Sequence, residues 1–293
     1  MGSTVEAHWS SVRAKRVTSG TLPPGERDHY VLRMPTEFTP NQFSHIYPDG
    51  IERHWWHLAR SRVVASELSR VCPDQPVLDI GCGRGVTLLH LRRHGIACYG
   101  VEPGSVDPLS GTEAYIFNGM AAEDLSEADR NRFSVVMLLD VIEHLPDPVS
   151  FLKDIADRYP NLGHVIVTVP ARPELWTNYD EFNGHYRRYT PDMIRDIAGR
   201  LSWRLVGQTY FFRLLYPPLR LLSRSGRPRS TNISPPGARM ASAHRALARL
   251  LLLEHRAPLG RLPGSSILAS FAVKRGADLS ENERSLAQEG LSA

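Results

Sequence analysis

The stretch "VLDIGCGRGVTLLHLRRHG", residues 77–95, decides how the rest of the chain is read. "VLDI" is a short apolar run, the pattern of a strand buried on both faces. Glycines 81, 83 and 85 follow, at positions where a Cβ would block tight turns and close ligand approach. "VTLLHLRRHG" then has helical spacing and closes on Gly95. Strand, glycine turn and helix in that order belong to a ligand-binding corner of an α/β sheet.

Working outward, the same alternation continues. "ACYGVE" reads as a second strand, "AYIF" as a weaker third and "SVVMLLDV" as a fourth. "PVSFLKDIADRY" is helical with Pro148 in its first turn, "HVIVTVP" is a fifth strand, and "PDMIRDIAGRL" is a helix opened by Pro191. "RLVGQTYFF" and "ILASFAVK" are the late strands. Strands alternating with helices predict a doubly wound, mainly parallel sheet covered on both faces. Upstream, Trp55, Leu58, Val63, Leu68 and Val71 recur at helical spacing. The expected organisation is an arm and cap helix over 1–71, an α/β domain over 72–275, and a polar, mobile tail over 276–293.

One region breaks the rhythm. Between the last two strands lie "RLLYPPLRLLSR", a Pro/Gly/Ser-rich linker and "MASAHRALARLLLLEHR", which predict two arginine-studded helices around a flexible loop, an insertion over about 213–262. Residues 200–262 hold twelve arginines and one acidic residue, Glu254, so a net charge of +4 conceals a local +11.

Composition excludes several classes. The chain has 293 residues, 42% hydrophobic and 23% charged, enough to bury a substantial core without staples. Cys72, Cys82 and Cys98 form no CxxC pair, which argues against a disulfide framework or structural zinc and for a reducing cytoplasm. No secretory h-region is visible, and no apolar run approaches the ~20 residues of a membrane span. The opening "MGSTVE" carries Glu6 where a myristoylation signal wants Ser or Thr.

Two ligand classes compete for the glycine turn. A dinucleotide fingerprint needs G-x-G-x-x-G, but Val86 stands where the third glycine belongs. Asp79 would also add negative charge beside a pyrophosphate. That carboxylate suits a cationic ligand, and Glu102, at the end of the second strand, can accept hydrogen bonds from ribose hydroxyls. S-adenosylmethionine, with a sulfonium, an ammonium and a ribose, fits these features better than NAD.

"VLDIGCGRG", Glu102, "LLDVIEHLPDPVSFL" and "VIVTVP" together resemble the class I S-adenosylmethionine-dependent methyltransferases, nearest to the ubiquinone-biosynthesis-like and small-molecule group. The resemblance covers roughly residues 75–210 and the last strand. It implies a Rossmann-like sheet of seven strands with the last antiparallel, and the cofactor over the carboxyl ends of strands one, two and four. By position it implies that Asp79, Gly81, Cys82, Gly83 and Gly85 line the methionine and ribose side, that Glu102 holds the ribose diol, and that Asp140 lies beneath the methionyl part. Ala121 stands where the family's adenine loop commonly has aspartate, which leaves adenine to Ala122 or Glu123. The reaction implied is methyl transfer to a small-molecule or lipid-linked acceptor, most often at oxygen. The rival readings are an NAD(P)-dependent oxidoreductase and a non-catalytic cofactor-binding scaffold.

A hydroxyl acceptor benefits from a general base, and His144 and His185 are the candidates. For His144, packing of the loop after strand four is an equal reading, and Glu143 reads as a solvated or loop-ordering carboxylate. His54 and His57 sit three apart in "HWWH", but no further metal ligand has matching spacing, so no metal is expected; Trp55 and Trp56 are read as part of a cap over the cofactor mouth. In "NYDEFNGHYRRYT", residues 178–190, a pocket role is expected for Tyr179, His185, Tyr186 and Arg187, and an internal brace for Arg188 and Tyr189. The basic insertion is read as a lid, with peripheral membrane contact as a second possibility; nucleic acid is not expected.

Overall fold

The computed structural model of the protein describes Phe43, residues 45–259 and residues 262–274. The expected arm over 1–40 and tail from 276 lie outside the described residues. Among the described residues the strands are β1 (Val77–Ile80), β2 (Cys98–Glu102), β3 (Ile116–Asn118), β4 (Val135–Leu139), β5 (His164–Pro170), β6 (Arg204–Phe211) and β7 (Ser266–Ala272). They form one seven-stranded sheet in the order β3-β2-β1-β4-β5-β7-β6, in which β7 runs antiparallel to both of its neighbours. The order reverses direction between β1 and β4, and their carboxyl ends open the crevice where α/β sheets hold ligands.

The helices are α1 (Trp55–Val71), α2 (Val86–Arg93), α3 (Glu127–Arg130), α4 (Pro148–Arg158), α5 (Asn178–Phe182), α6 (Pro191–Leu201), α7 (Tyr216–Ser225) and α8 (Ala241–Arg256). Burial on both faces of β4 follows its uniformly apolar sequence. Val136 and Leu138 pack in one core with Leu152 and Ile155 of α4 and Ile194 and Ile197 of α6. Val135 and Met137 point the other way, into a core shared by Val63, Val64 and Leu68 of α1, Leu88 and Leu91 of α2, and Ala248 and Leu251 of α8. Both proline-started helices are capped: Asp147 accepts from the Val149 and Ser150 N–H groups at 3.1 Å ahead of Pro148, and Thr190 accepts from Met193 N at 3.3 Å ahead of Pro191.

Three boundaries differ from expectation. "AYIF" begins as a 3-10 turn over Glu113–Tyr115, and pairing with β2 starts only where Ile116 meets Gly100. β4 stops at Leu139 because Asp140 adopts a left-handed φ of 58°, and β6 stops before Phe212, also at φ 58°. The segment 178–190 opens with the short helix α5, whose Thr177 and Asp180 make a reciprocal capping box.

The insertion is two helices, as expected, but its linker is tethered. Asn178 accepts from Arg229 N at 2.7 Å and donates to Arg229 O at 2.9 Å. Glu254, the lone acidic residue of the basic region, is buried and accepts from the Arg213 guanidinium at 3.4 Å and from Leu214 N at 3.3 Å. Among the described residues no helix is long and apolar enough to cross a membrane.

Core and surface in this arrangement predict contrasting losses. Phe271→Ala in β7, where Phe271 is fully buried, should cost about 3–5 kcal/mol in urea denaturation. Leu221→Ala on α7, where the side chain is 72% exposed, should stay within about 0.5 kcal/mol.

Candidate active site

The glycine turn is bolted to β2. Gly81 N and Cys82 N both donate to Val101 O, at 2.9 and 3.3 Å. Glu102 folds back over the turn, accepting from Gly83 N at 2.8 Å and Gly104 N at 3.1 Å. Gly83 has φ +56°, and a Cβ there would stand 2.8 Å from the Tyr47 ring. Gly85, at φ +83°, caps α2, and a Cβ would come within 2.8 Å of Ile116. Cys82 is buried against Gly100, and burial pushes its thiol pKa well up, which suits packing and a backbone contribution rather than nucleophilic chemistry.

Carboxyl groups gather at the ends of β1 and β4 around one buried cation. Asp79 is 3% exposed, and its Oδ1 has no hydrogen-bond partner among the described residues. Burial pushes its pKa up to about 7, with Arg60 opposing and Glu102 and Asp140 reinforcing the rise. Arg60 of α1 donates to the Asp140 carboxylate, to Leu139 O at 3.5 Å and to Thr87 Oγ1 at 3.2 Å. Its guanidinium stacks 4.5 Å over Trp56. Burial alone would lower the Arg60 pKa; the Asp140 carboxylate carries it above its ordinary value.

Residues 178–190 fold back over the 3-10 turn Ile142–His144 that follows β4. Tyr186 N donates to Glu143 O at 2.8 Å, and Tyr189 Oη donates to Ile142 O at 3.0 Å. Asp180 is the hub of the segment. It is fully buried and accepts from Thr177 N at 2.9 Å, from Arg188 Nε and Nη2 at 2.8 and 3.0 Å, and from His185 Nδ1 at 2.9 Å. Burial would raise its pKa, but the hydrogen bonds from His185 and the ion pair with Arg188 carry it below the usual value. The His144 and His185 rings meet edge to face at 4.7 Å. Burial and His185 press the His144 pKa down to about 3.

The expected residues therefore fall into three groups. Asp79, Gly81, Cys82, Gly83, Gly85 and Glu102 lie together at the β1–β2 corner, with Asp140 tied to it through Arg60. His144 and His185 meet, and Tyr179 lies beneath the Arg229 guanidinium, 4.2 Å from its ring. The remainder are placed otherwise. Arg187 donates to Leu145 O and Pro146 O at 3.1 and 2.8 Å, so it braces the turn. Tyr186 is 54% exposed. Ala122 is buried with its carbonyl taken by Tyr159 Oη at 2.8 Å, which leaves Glu123 and the exposed Met120 at that edge. Glu143 is not solvated: it is fully buried beneath the segment folded over it, and a backbone hydrogen bond and Arg60 only partly offset the effect of burial on its carboxyl.

Tyr47, Arg60, Asp180 and Arg229 were not singled out in the sequence. Asp180 alone had a local signal, its place three residues after Thr177 in a capping-box pattern.

The comparisons with known proteins agree with this geometry. A family model described as a methyltransferase domain matches residues 55–207, just over half of the chain. Similar curated proteins include the ubiquinone biosynthesis O-methyltransferase of Hahella chejuensis, 34% identical over 87 residues, which span 27% of this chain and 37% of that protein. The protein of the same description from Aeromonas salmonicida is 31% identical over 147 residues, spanning 44% of this chain and 62% of its own length. The chain thus spans less than two thirds of the length of either relative. Among solved structures, magnesium protoporphyrin IX methyltransferase from Synechocystis PCC 6803 aligns over 80% of this chain and 93% of its own, at 13% identity and a TM-score of 0.48.

The raised Asp79 pKa has a defined pH consequence. In the fold the carboxyl keeps its proton up to about pH 7, whereas unfolded it ionises near pH ~4. Its contribution to stability is therefore complete below about pH 4 and lost as pH rises through about 7. Denaturation midpoints measured across that window should fall less in Asp79→Asn than in the parent. Glu143, its pKa raised well up by burial and Asp140, leaves part of the fall in place.

Proposed function

Because the chain belongs to the methyltransferase-domain family, we propose that it moves a methyl group from S-adenosylmethionine to an oxygen of a small-molecule or lipid-linked acceptor. The observation that carries this reading is the buried Asp79 carboxyl, with one oxygen lacking a partner, set between the glycine turn and the Arg60–Asp140 pair. A pyrophosphate would be repelled by three acidic groups at this corner. A ligand with an ammonium and a sulfonium is attracted to them and supplies the hydrogen-bond donors that Asp79 lacks.

S-adenosylmethionine supplies an activated methyl group and a neutral leaving group, so the protein's task is proximity and alignment. In this reading Gly81, Cys82, Gly83 and Gly85 let the ligand approach the backbone. Glu102, held by Gly83 and Gly104, meets the ribose diol, and Glu123 borders the adenine. Asp140 lies beneath the methionyl part. His185, fixed through Nδ1 by Asp180, orients the acceptor hydroxyl and receives its proton. His144 orients its neighbour, since a pKa near 3 makes it a weak base. Tyr179 lines the acceptor wall, with Arg187 ordering the turn behind it and Tyr186 exposed at its rim. The O-methyltransferase relatives support oxygen as the receiving atom. Calorimetry should detect S-adenosylmethionine binding and no NAD binding. Asp79→Ala should abolish that binding, and His185→Ala should keep it while slowing turnover by about 10²-fold or more. Binding of NAD in place of S-adenosylmethionine would reject the assignment.

A lipid-side role rests on a separate observation. The solvent face of α8 carries Arg245, Arg249 and Arg256 in one stripe and Ala246, Leu250 and Leu253 in the next. An apolar stripe flanked by cations is the pattern of a helix lying in an anionic interface. Flotation with phosphatidylglycerol vesicles should recover the parent at low salt, and Leu250→Glu with Leu253→Glu should abolish recovery.

A further inference from the structure

We infer that Arg229, clamped by Asn178 and stacked on Tyr179, is a recognition site for an acidic group, a carboxylate or a phosphate, on the methyl acceptor. What the acid group belongs to rests on the methyltransferase reading; the binding of an anion does not. Arg229 lies in the loop between α7 and α8, one of twelve arginines over 200–262, and nothing in its local sequence sets it apart.

Three observations single it out in the fold. First, one side chain fixes both of its backbone groups: Asn178 Oδ1 accepts from Arg229 N at 2.7 Å, and Asn178 Nδ2 donates to Arg229 O at 2.9 Å. The loop is thus pinned at the residue whose side chain turns toward Tyr179. Second, the guanidinium lies 4.2 Å from the Tyr179 ring and makes no hydrogen bond or ion pair among the described residues. Stacking takes up a face of the guanidinium and leaves the N–H groups in its plane able to donate. By contrast, Arg172, Arg188 and Arg213 each face a carboxylate, those of Glu174, Asp180 and Glu254. Third, the surroundings offer it little negative charge. The Asp180 carboxylate already accepts from Thr177, His185 and Arg188. Burial holds the Arg229 pKa below the ordinary arginine value; Tyr179 and Asp180 oppose the fall, and Arg188 adds to it. A half-buried cation with unused in-plane donors and a second cation nearby is matched by an anion.

Tyr179 connects this cation to the ligand corner. Burial raises the Tyr179 pKa, Arg229 opposes that rise, and the Asp140 carboxylate adds to it. One ring therefore stands within reach of both Asp140, at the end of β4, and Arg229, in the insertion. An acceptor lying beside Tyr179 would turn its receiving oxygen toward Asp140 and its acid group toward Arg229. That acid group is gripped rather than methylated, because an oxygen accepting from a guanidinium has its lone pairs engaged. A planar guanidinium takes carboxylate or phosphate through paired N–H···O bonds, so the geometry admits both.

Ligand-observed NMR titration of the full chain with benzoate, phenyl phosphate and neutral benzyl alcohol, with and without S-adenosylhomocysteine, tests the site. Saturable binding of at least one acid, and none of benzyl alcohol, is expected, and the tighter acid identifies the anion. Arg229→Gln should weaken that binding about tenfold or more. Arg229→Lys, which keeps the charge but loses the planar fork, should fall between the two. Arg227→Gln, an exposed neighbour in the same loop, should bind as the parent does. Far-UV circular dichroism checks that each variant is folded, and Arg229→Lys decides the matter if Arg229→Gln is not. No saturable binding of either acid, parental affinity in folded Arg229→Gln, or an equal loss in Arg227→Gln overturns the site. Calorimetry with S-adenosylmethionine separates the two readings. Arg229→Gln should bind it as the parent does, and a matching loss would assign Arg229 to the cofactor's own carboxylate and overturn the inference. A parent that binds no S-adenosylmethionine rejects the methyltransferase reading, while the titration without cofactor still judges the anion site.

Discussion

One guanidinium holds the ligand corner together. Asp79 at the end of β1 and Glu143 in the turn after β4 are both buried, and burial together with the neighbouring Asp140 carboxylate opposes the ionisation of each. Arg60 is the cation beside them: it binds Asp140 directly and opposes the rise in pKa that burial imposes on Asp79 and Glu143. It can do so only because α1 packs Val63, Val64 and Leu68 into the core beneath the sheet. The cap helix is therefore part of the electrostatics of the corner as well as its cover. Removing one partner of such a buried pair typically costs about 3–5 kcal/mol, because the other charge is left stranded.

Asp180 does for the segment 178–190 what Arg60 does for the ends of β1 and β4. It closes the N-terminal turn of α5, pairs with Arg188 and orients His185. The mixture of charged and aromatic residues in "NYDEFNGHYRRYT" divides accordingly. Asp180, Arg188 and Tyr189 are buried structure, Arg187 braces the turn beneath, and Tyr186 faces outward.

The parts legible in the sequence were those written in short-range pattern. "VLDI", "HVIVTVP" and the proline-started helices carry their own periodicity and caps, so strands and helices fell close to expectation. The β1–β2 corner was legible because its glycines and acidic residues sit at fixed distances from strand ends. Tyr47 over Gly83, Arg60 against Asp140, and Arg229 over Tyr179 have no such signature. Each depends on a contact between segments far apart in the chain, and an arginine in an amphipathic helix reads as solvated until the helix is docked. Glu143 was misread for the same reason: its burial comes from residues about forty positions later, which fold over it through Tyr186.

The insertion has a consequence beyond its helices. Phe211, the last residue of β6, and Ser266, the first of β7, face each other as paired neighbours. Topologically, everything from 212 to 265 is the turn of a single hairpin. A turn that leaves and re-enters at one point does not set the register of the strands it joins, so its length is free to vary at the loop between α7 and α8. Its second helix is not free in the same way: Ala248 and Leu251 share a core with Val63, Val64 and Leu68 of α1, and His244 accepts from Trp55 N at 3.1 Å, so the insertion is part of what seats the helix that carries Arg60.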